Sequence, residues 1–191
     1  MGTFRVVRTT RRTEHGFLAV DEVEVEAPDG ERLERVVVRH PGAVVVVPVD
    51  GADAVLVRQY RVAVDEHVLE VPAGKRDVDD ELPATTAARE LEEELGLHAG
   101  RLVKLAEFLN TPGFCDEHSH LFVALDCTKA ERTAPTSAEE RDMTVERVAL
   151  ADVEAMVAAG RLRDAKSIIG LLLARQYLAG ALPALAPEVG G

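Results

Sequence analysis

The segment Arg89-Glu90-Leu91-Glu92-Glu93-Glu94-Leu95-Gly96 gathers carboxylates at a spacing that can hold a metal ion. Between Pro83 and Leu95 the apolar period is helical, with Pro83 suited to a first turn and Gly96 to a C-terminal stop. At about 100° per residue, with Leu91 set at zero, Ala84, Ala87, Ala88 and Leu95 fall within about 60° of it and define a core-facing stripe. Glu94, Glu90 and Glu93 follow in that order around one flank, starting at the edge of the stripe. Glu90 and Glu94 are then a like-charged i,i+4 pair, which costs roughly 0.2–0.5 kcal/mol in water and more where water is excluded. No Lys or Arg stands four residues C-terminal to Glu90, Glu93 or Glu94, so the lacing of an exposed helix is missing. Arg89, four residues before Glu93, reads as the ion pair that holds Glu93 in place, which leaves Glu90 and Glu94 without a local partner. A hard divalent cation such as Mg²⁺ would offset the repulsion, because it takes oxygen ligands and keeps positions for water and phosphate. A solvated acidic helix face is the other reading of such a run.

Such a helix needs a sheet to position it, and the flanking sequence supplies strands. Glu22 to Ala27 alternates charge with Val, Asp29-Gly30 offers a hairpin turn, and Glu34 to His40 resumes β-branched character. Ala43 to Val49 is a nearly continuous apolar run and predicts a strand buried on both faces. A turn at residues 50–53 leads to an alternating strand from Ala54 to Arg61, and His67 to Val71 gives a short strand that stops at Pro72-Ala73-Gly74. Leu102 to Leu109, Leu121 to Leu125 and Val145 to Leu150 predict further strands. Helices are expected over Ala151 to Ala159, stopped by Gly160, and over Asp164 to Leu178, with Asp164 as N-cap. The order predicts an α/β fold, a mixed sheet covered by helices.

Composition excludes several classes. The 191 residues suit one domain with a core, and 47% hydrophobic against 29% charged residues is a globular mix. A formal net charge of -12 repels polyphosphate and gives no footprint for nucleic acid or anionic lipid, so neither is expected as a partner. The longest apolar stretches fall far short of the roughly 20 residues a membrane span requires. The N-terminus lacks the apolar core of a secretory signal, so the expected location is cytoplasmic. Cys115 and Cys127 have no metal-site or scaffold spacing and are expected to be free thiols. The six histidines show no ligand pairing on a helix, and Arg8, Arg11 and Arg12 form a small basic cluster expected to face solvent.

From Gly74, six residues lead to Glu81 and seven more to Arg89-Glu90, then an aliphatic residue, Glu93-Glu94, Gly96 and Leu97. This closely resembles the Nudix box. The spacing from Gly74 to Glu81 is one residue longer than the usual pattern, with the extra residue in the loop before the helix, so Asp80 competes with Glu81 for that position. Val57-Arg58-Gln59-Tyr60-Arg61, Leu69 to Gly74, Pro112 placed 16 residues after Gly96, and Glu139-Glu140-Arg141 are similar to the ADP-ribose pyrophosphatase branch of that superfamily.

The resemblance implies a Nudix fold, an α/β/α sandwich with a mixed sheet, preceded by an N-terminal β meander. Residues 1–40 would be a dimerisation element, 41–180 the hydrolase domain and 181–191 a flexible tail. It implies Mg²⁺, or Mn²⁺, held by the Ala73 carbonyl, Glu90 and Glu94, with Glu93 completing a further metal site. Glu139 would be the general base, with Glu140 the alternative. Arg61, Arg58, Pro112, Gly113 and Glu117 would bind substrate, and Gly74, Arg89 and Gly96 would have structural roles. The implied reaction is hydrolysis of ADP-ribose to AMP and ribose 5-phosphate by a homodimer. Hydrolysis of another ADP-sugar or a dinucleotide, and a non-catalytic ADP-ribose sensor, are the alternatives.

Overall fold

The computed structural model describes residues 2–78, 80–131, 134 and 137–185. They form two units: one runs up to Gly42 and takes in Phe108–His118, and the other comprises Ala43–Glu107 and continues from Ser119. The expected flexible tail falls in large part on 186–191, outside the described residues.

In the first unit, β1 (Arg5–His15), β2 (Leu18–Glu26) and β3 (Arg32–Arg39) form an antiparallel sheet in that order. The β2–β3 turn falls at Asp29-Gly30, where Gly30 adopts a φ of 89°. Strand β1 has no apolar alternation to betray it; its arginines pair across the ladder with the acids of β2, Arg5 with Glu26 at 3.0 Å, Arg8 with Glu24 at 3.4 Å and Arg12 with Glu22 at 2.6 Å. The cluster of Arg8, Arg11 and Arg12 is therefore part of a sheet. The segment from Phe108 to His118 is stitched to β3: Val38 N–H donates to the Phe114 carbonyl at 2.7 Å, and Asp116 accepts from the His40 N–H at 2.9 Å.

Asp21, on the buried side of β2, is held by Arg11 from β1 at 2.5 Å and by Arg39 from β3 at 2.9 Å. The bonds from Arg39 and Arg11, opposed by burial, hold its carboxyl below the usual carboxylate range. With the folded pKa depressed, the unfolded chain binds more protons between the two values, so stability rises with pH there. We expect the N-terminal sheet to lose this contribution as pH falls through the folded value, below the ordinary aspartate range. Asp21→Asn should flatten that acid limb of a thermal-melt series, and an unchanged limb would remove Asp21 as its cause.

The second unit contains β4 (Ala43–Asp50), β5 (Asp53–Arg61), β6 (Glu66–Glu70), β7 (Ala73–Lys75), α1 (Pro83–Leu95), β8 (Leu97–His98), β9 (Arg101–Leu109) as far as Glu107, and β10 (His118–Leu125) from Ser119 on. It continues with β11 (Thr128–Lys129), α2 (Ala138–Asp142), β12 (Thr144–Ala149), a short 3₁₀ turn, α3 (Val153–Ala158) and α4 (Ala165–Leu178). Its main sheet has the order β12-β5-β4-β10-β9, with β6 also on β5 and β7 also on β4. The sheet is mixed, since β10 runs parallel to β4 while β5 and β7 run antiparallel to it.

Central position explains the apolar run of β4, whose residues Val44 to Val47 are fully buried. Val44 and Val46 pack with Phe122, Ala124, Ala87 and Leu91 on the α1 face. Val47 and Leu121 meet α4 on the other, where a Cβ on Gly170 would lie 3.0 Å from Val47. The sheet is thus sandwiched between α1 and α4. The β7 strand and the short helix α2 were not legible as elements, and Ala151 to Asp152 form part of the 3₁₀ turn rather than the start of a helix.

Candidate active site

Helix α1 begins where Leu82 is extended and Pro83 fills the first helical position, and it ends at Gly96, whose φ of 62° lets its N–H turn back to the Glu92 carbonyl at 2.9 Å. Its buried residues are Pro83, Thr86, Ala87 and Leu91, whereas Ala84, expected in the core stripe, is exposed. Ala88 and Leu95 are half-buried. On the helical wheel the buried arc is turned by about 80° from the apolar stripe toward Glu94. The glutamate flank is therefore tucked in.

Strand β7 makes this possible. Gly74 lies so close that a Cβ there would sit 1.9 Å from Glu90 Cδ, so only a residue without a side chain lets the Glu90 carboxyl in. Gly74→Ala should displace Glu90 or β7, destabilise by about 1–3 kcal/mol as overpacking does, and weaken divalent-metal binding. Gly113→Ala, where the added Cβ meets nothing within 4 Å, should leave both the melting temperature and Mn²⁺ affinity unchanged. Wild-type Mn²⁺ affinity in Gly74→Ala would show that the close approach does not matter.

The carboxylates differ in their partners. Arg89 donates to Glu90 at 2.8 Å and Glu93 at 3.1 Å, and reaches Glu81 at 3.4 Å. Glu90 thus has a partner, contrary to the expectation from spacing, because an arginine can also bond its i+1 neighbour. Glu81 further accepts from Thr86 Oγ1 at 2.7 Å, which ties the loop before α1 to its first turn and settles Arg89 among three acids. Burial pushes the Glu90 pKa up, with Glu93 adding to the rise and Arg89 opposing it.

Glu94 accepts from the Ala73 N–H, but its Oε2 is buried with no hydrogen-bond partner among the described residues. Burial and the neighbouring charge of Glu90 push its pKa up to about 8, against Arg61 and the Ala73 amide. A buried carboxylate oxygen without a donor is costly. A divalent cation answers that cost, and the oxygen-only donor set of Glu90, Glu94 and the adjacent Ala73 backbone suits a hard ion.

Arg61, at the end of β5, donates through Nε and Nη2 to the two oxygens of Glu70, each at 2.7 Å, and lies within electrostatic reach of Glu94. Its Nη1 has no partner among the described residues. Arg58 is not brought to this cluster. It pairs with Glu146 of β12 at 2.5 Å and lines a separate cavity of about 400 Å³ with His67, Arg161 and Arg163. Three residues apart on a strand, positions 58 and 61 face opposite sides.

Glu139 and Glu140 lie exposed in the first turn of α2, where Ser137 caps the Glu140 N–H at 3.1 Å. The far end of α2 is tied to β6 by a 2.7 Å contact between Asp142 and His67. Pro112, Gly113 and Glu117 belong to the first unit, in the segment stitched to β3. Sequence reasoning assigned no role to Glu70, Lys166 or Ser167, although Asp164 was legible as the cap of α4.

The NUDIX domain model matches residues 38–169, most of the chain and all of the α1 cluster. The chain belongs to the Nudix family. Among relatives of this Nudix hydrolase, a protein named methanol dehydrogenase activator from Bacillus methanolicus is 37% identical over 84% of this chain and 83% of its own length. An ADP-ribose pyrophosphatase from Bacillus subtilis (strain 168) is 37% identical over 81% of each chain. The crystal structure of an ADP compounds hydrolase superposes with a TM-score of 0.81 at 22% identity, covering 93% of this chain and 95% of that one, which shows the shared fold. The expected Nudix fold and membership beside the ADP-ribose pyrophosphatases are thereby shown. Among the described residues of this Nudix hydrolase, no helix is long and apolar enough to cross a membrane.

Proposed function

We propose that this Nudix hydrolase cleaves the diphosphate of ADP-ribose, releasing AMP and ribose 5-phosphate, with Mg²⁺ as cofactor and Mn²⁺ as its substitute. The observation that carries the reading is the buried Glu94 oxygen that has no hydrogen-bond partner among the described residues, beside Glu90 and Ala73, in a chain 37% identical to an ADP-ribose pyrophosphatase. The Ala73 carbonyl, Glu90 and Glu94 would hold the ion, with Glu93 serving a further one. Bound there, a divalent metal supplies neutralisation of the diphosphate charge and a more acidic water. Water oxygen bonds to one phosphorus, the bridging P–O bond breaks, and the leaving phosphate carries the electron pair away. Glu139 takes the proton from that water, with Glu140 the alternative. Arg61 offers its Nη1, which has no partner among the described residues, to a phosphate oxygen, while Pro112, Gly113 and Glu117 contribute to the ribose side. A homodimer through residues 1–40 is part of this reading, supported by Phe4, Val6 and Val36 standing exposed in or beside the N-terminal sheet.

The test is AMP release from ADP-ribose with Mg²⁺, against ADP-glucose, NADH and diadenosine polyphosphates, with EDTA as control. Metal-dependent turnover led by ADP-ribose supports the reading; preference for another substrate moves it to that substrate. The relative named as a dehydrogenase activator favours a second reading, regulation of a partner enzyme. Binding of ADP-ribose without turnover of any substrate would put that reading first.

A further inference from the structure

Glu70 is a buried carboxylate, 2% exposed, and so needs cations and donors around it. One is Arg61. The other is Lys166 of α4, whose Nζ lies 4.0 Å from Glu70 and donates to Asp164 at 2.6 Å. Asp164 in turn accepts at one oxygen from both the Ser167 N–H, at 2.8 Å, and the Ser167 hydroxyl, at 2.6 Å. Its hydroxyl proton spent on Asp164, Ser167 Oγ is left to accept, and it takes the Val71 N–H at 2.9 Å. Two residues beyond Val71 stands Ala73, whose N–H meets Glu94. The Val46 N–H holds the Pro72 carbonyl between them at 2.9 Å.

Two arms thus leave the first turn of α4. One runs through Lys166 and Glu70 to Arg61, and the other through Ser167 and Val71 to the backbone at Ala73. Burial raises the Asp164 pKa, but Lys166 and Ser167 outweigh it, so the hub stays ionised below the usual carboxylate range.

We propose that Asp164, Lys166 and Ser167 are positioning residues, which fix Arg61 for the substrate diphosphate by one arm and the Ala73 backbone for the metal by the other. The inference rests on the proposed roles of Arg61 and Ala73. An ordinary helix cap would need only Asp164 and the Ser167 N–H. Here the Ser167 hydroxyl and the Lys166 ammonium both reach past the cap to the end of β6, at the adjacent residues Val71 and Glu70, from buried or half-buried positions where loss of either leaves a polar group unanswered.

The two arms predict different losses. Ser167→Ala should weaken Mn²⁺ binding, read by electron paramagnetic resonance on the purified protein, by roughly tenfold, as loss of a group supporting a ligand does. The hydroxyl of Ser167→Thr should restore it. Lys166→Met should instead raise the KM for ADP-ribose by roughly tenfold with Mn²⁺ binding unchanged, and Asp164→Asn should share that KM effect, since a freed Lys166 no longer braces Glu70. Arg61→Ala with Lys166→Met should bind ADP-ribose no worse than Arg61→Ala alone, because the lysine acts through the arginine. Equal loss of both readouts in every variant, tracking only the melting temperature, would overturn the proposal, as would wild-type values throughout. The Mn²⁺ arm is read even if ADP-ribose is not turned over, so failure of the proposed substrate is told apart from failure of this inference.

Discussion

Glu94→Gln is expected to lower turnover by at least about 10²-fold while the protein stays folded, since charge stabilisation lost from a water-excluded site is typically that costly. The substitution keeps the volume and can keep the Ala73 N–H bond, so it isolates the charge. In the native site that charge lies against burial and against Glu90, which is why its pKa stands at about 8. Without metal, the Glu94→Gln protein should therefore be about as stable as the native one below about pH 8, where Glu94 is largely protonated, and more stable above it, where a buried like-charged pair is relieved. The two measurements point in opposite directions only if Glu94 is there for a cation: stability held or gained, Mn²⁺ affinity and turnover lost. Near-normal turnover would remove Glu94 from the metal site. Loss of activity together with loss of the folded transition would make it a packing residue instead.

Helix α1 and its row of glutamates were legible because they depend on spacing within one helix. Pro83, Gly96, the period between them and the ladder of glutamates are local signals, and the helix forms at the expected bounds. Its rotation was not legible. A helical wheel weighs the helix's own side chains, whereas the buried arc is chosen by what lies opposite, and opposite Glu90 lies a glycine. The apolar run of β4 announced a central strand, but β1 is held by cross-strand ion pairs that have no alternation to read. Arg58 and Arg61 were grouped because they are near in sequence, though a strand separates positions three apart onto opposite faces, which the sequence alone could have told. The support from α4 was beyond reach: Ser167 and Val71 are 96 residues apart, and nothing local marks the serine as more than part of a cap.

Glu139→Gln should lower kcat by roughly 10²- to 10⁴-fold, the range of a general base, and leave KM and Mn²⁺ affinity near their native values. The site asks for two kinds of carboxylate. The proposed ligands on α1 are held fast, by Arg89 and by β7, and fixed groups of that kind are poorly suited to follow a proton. Glu139 is the opposite case: it is exposed and makes no side-chain bond among the described residues, on a five-residue helix whose ends are secured by Ser137 and by the Asp142 contact to His67. We propose that this short, pinned element presents Glu139 to the water of the proposed metal site. If so, His67→Ala, which frees one pin and touches no ligand, should lower kcat less than Glu139→Gln and leave metal binding alone. The pH–rate profile distinguishes base from bystander, because replacing the base removes the acid limb that its ionisation produces. Retention of that limb in Glu139→Gln, with its loss in Glu140→Gln, would transfer the role to the neighbour one position along the same turn.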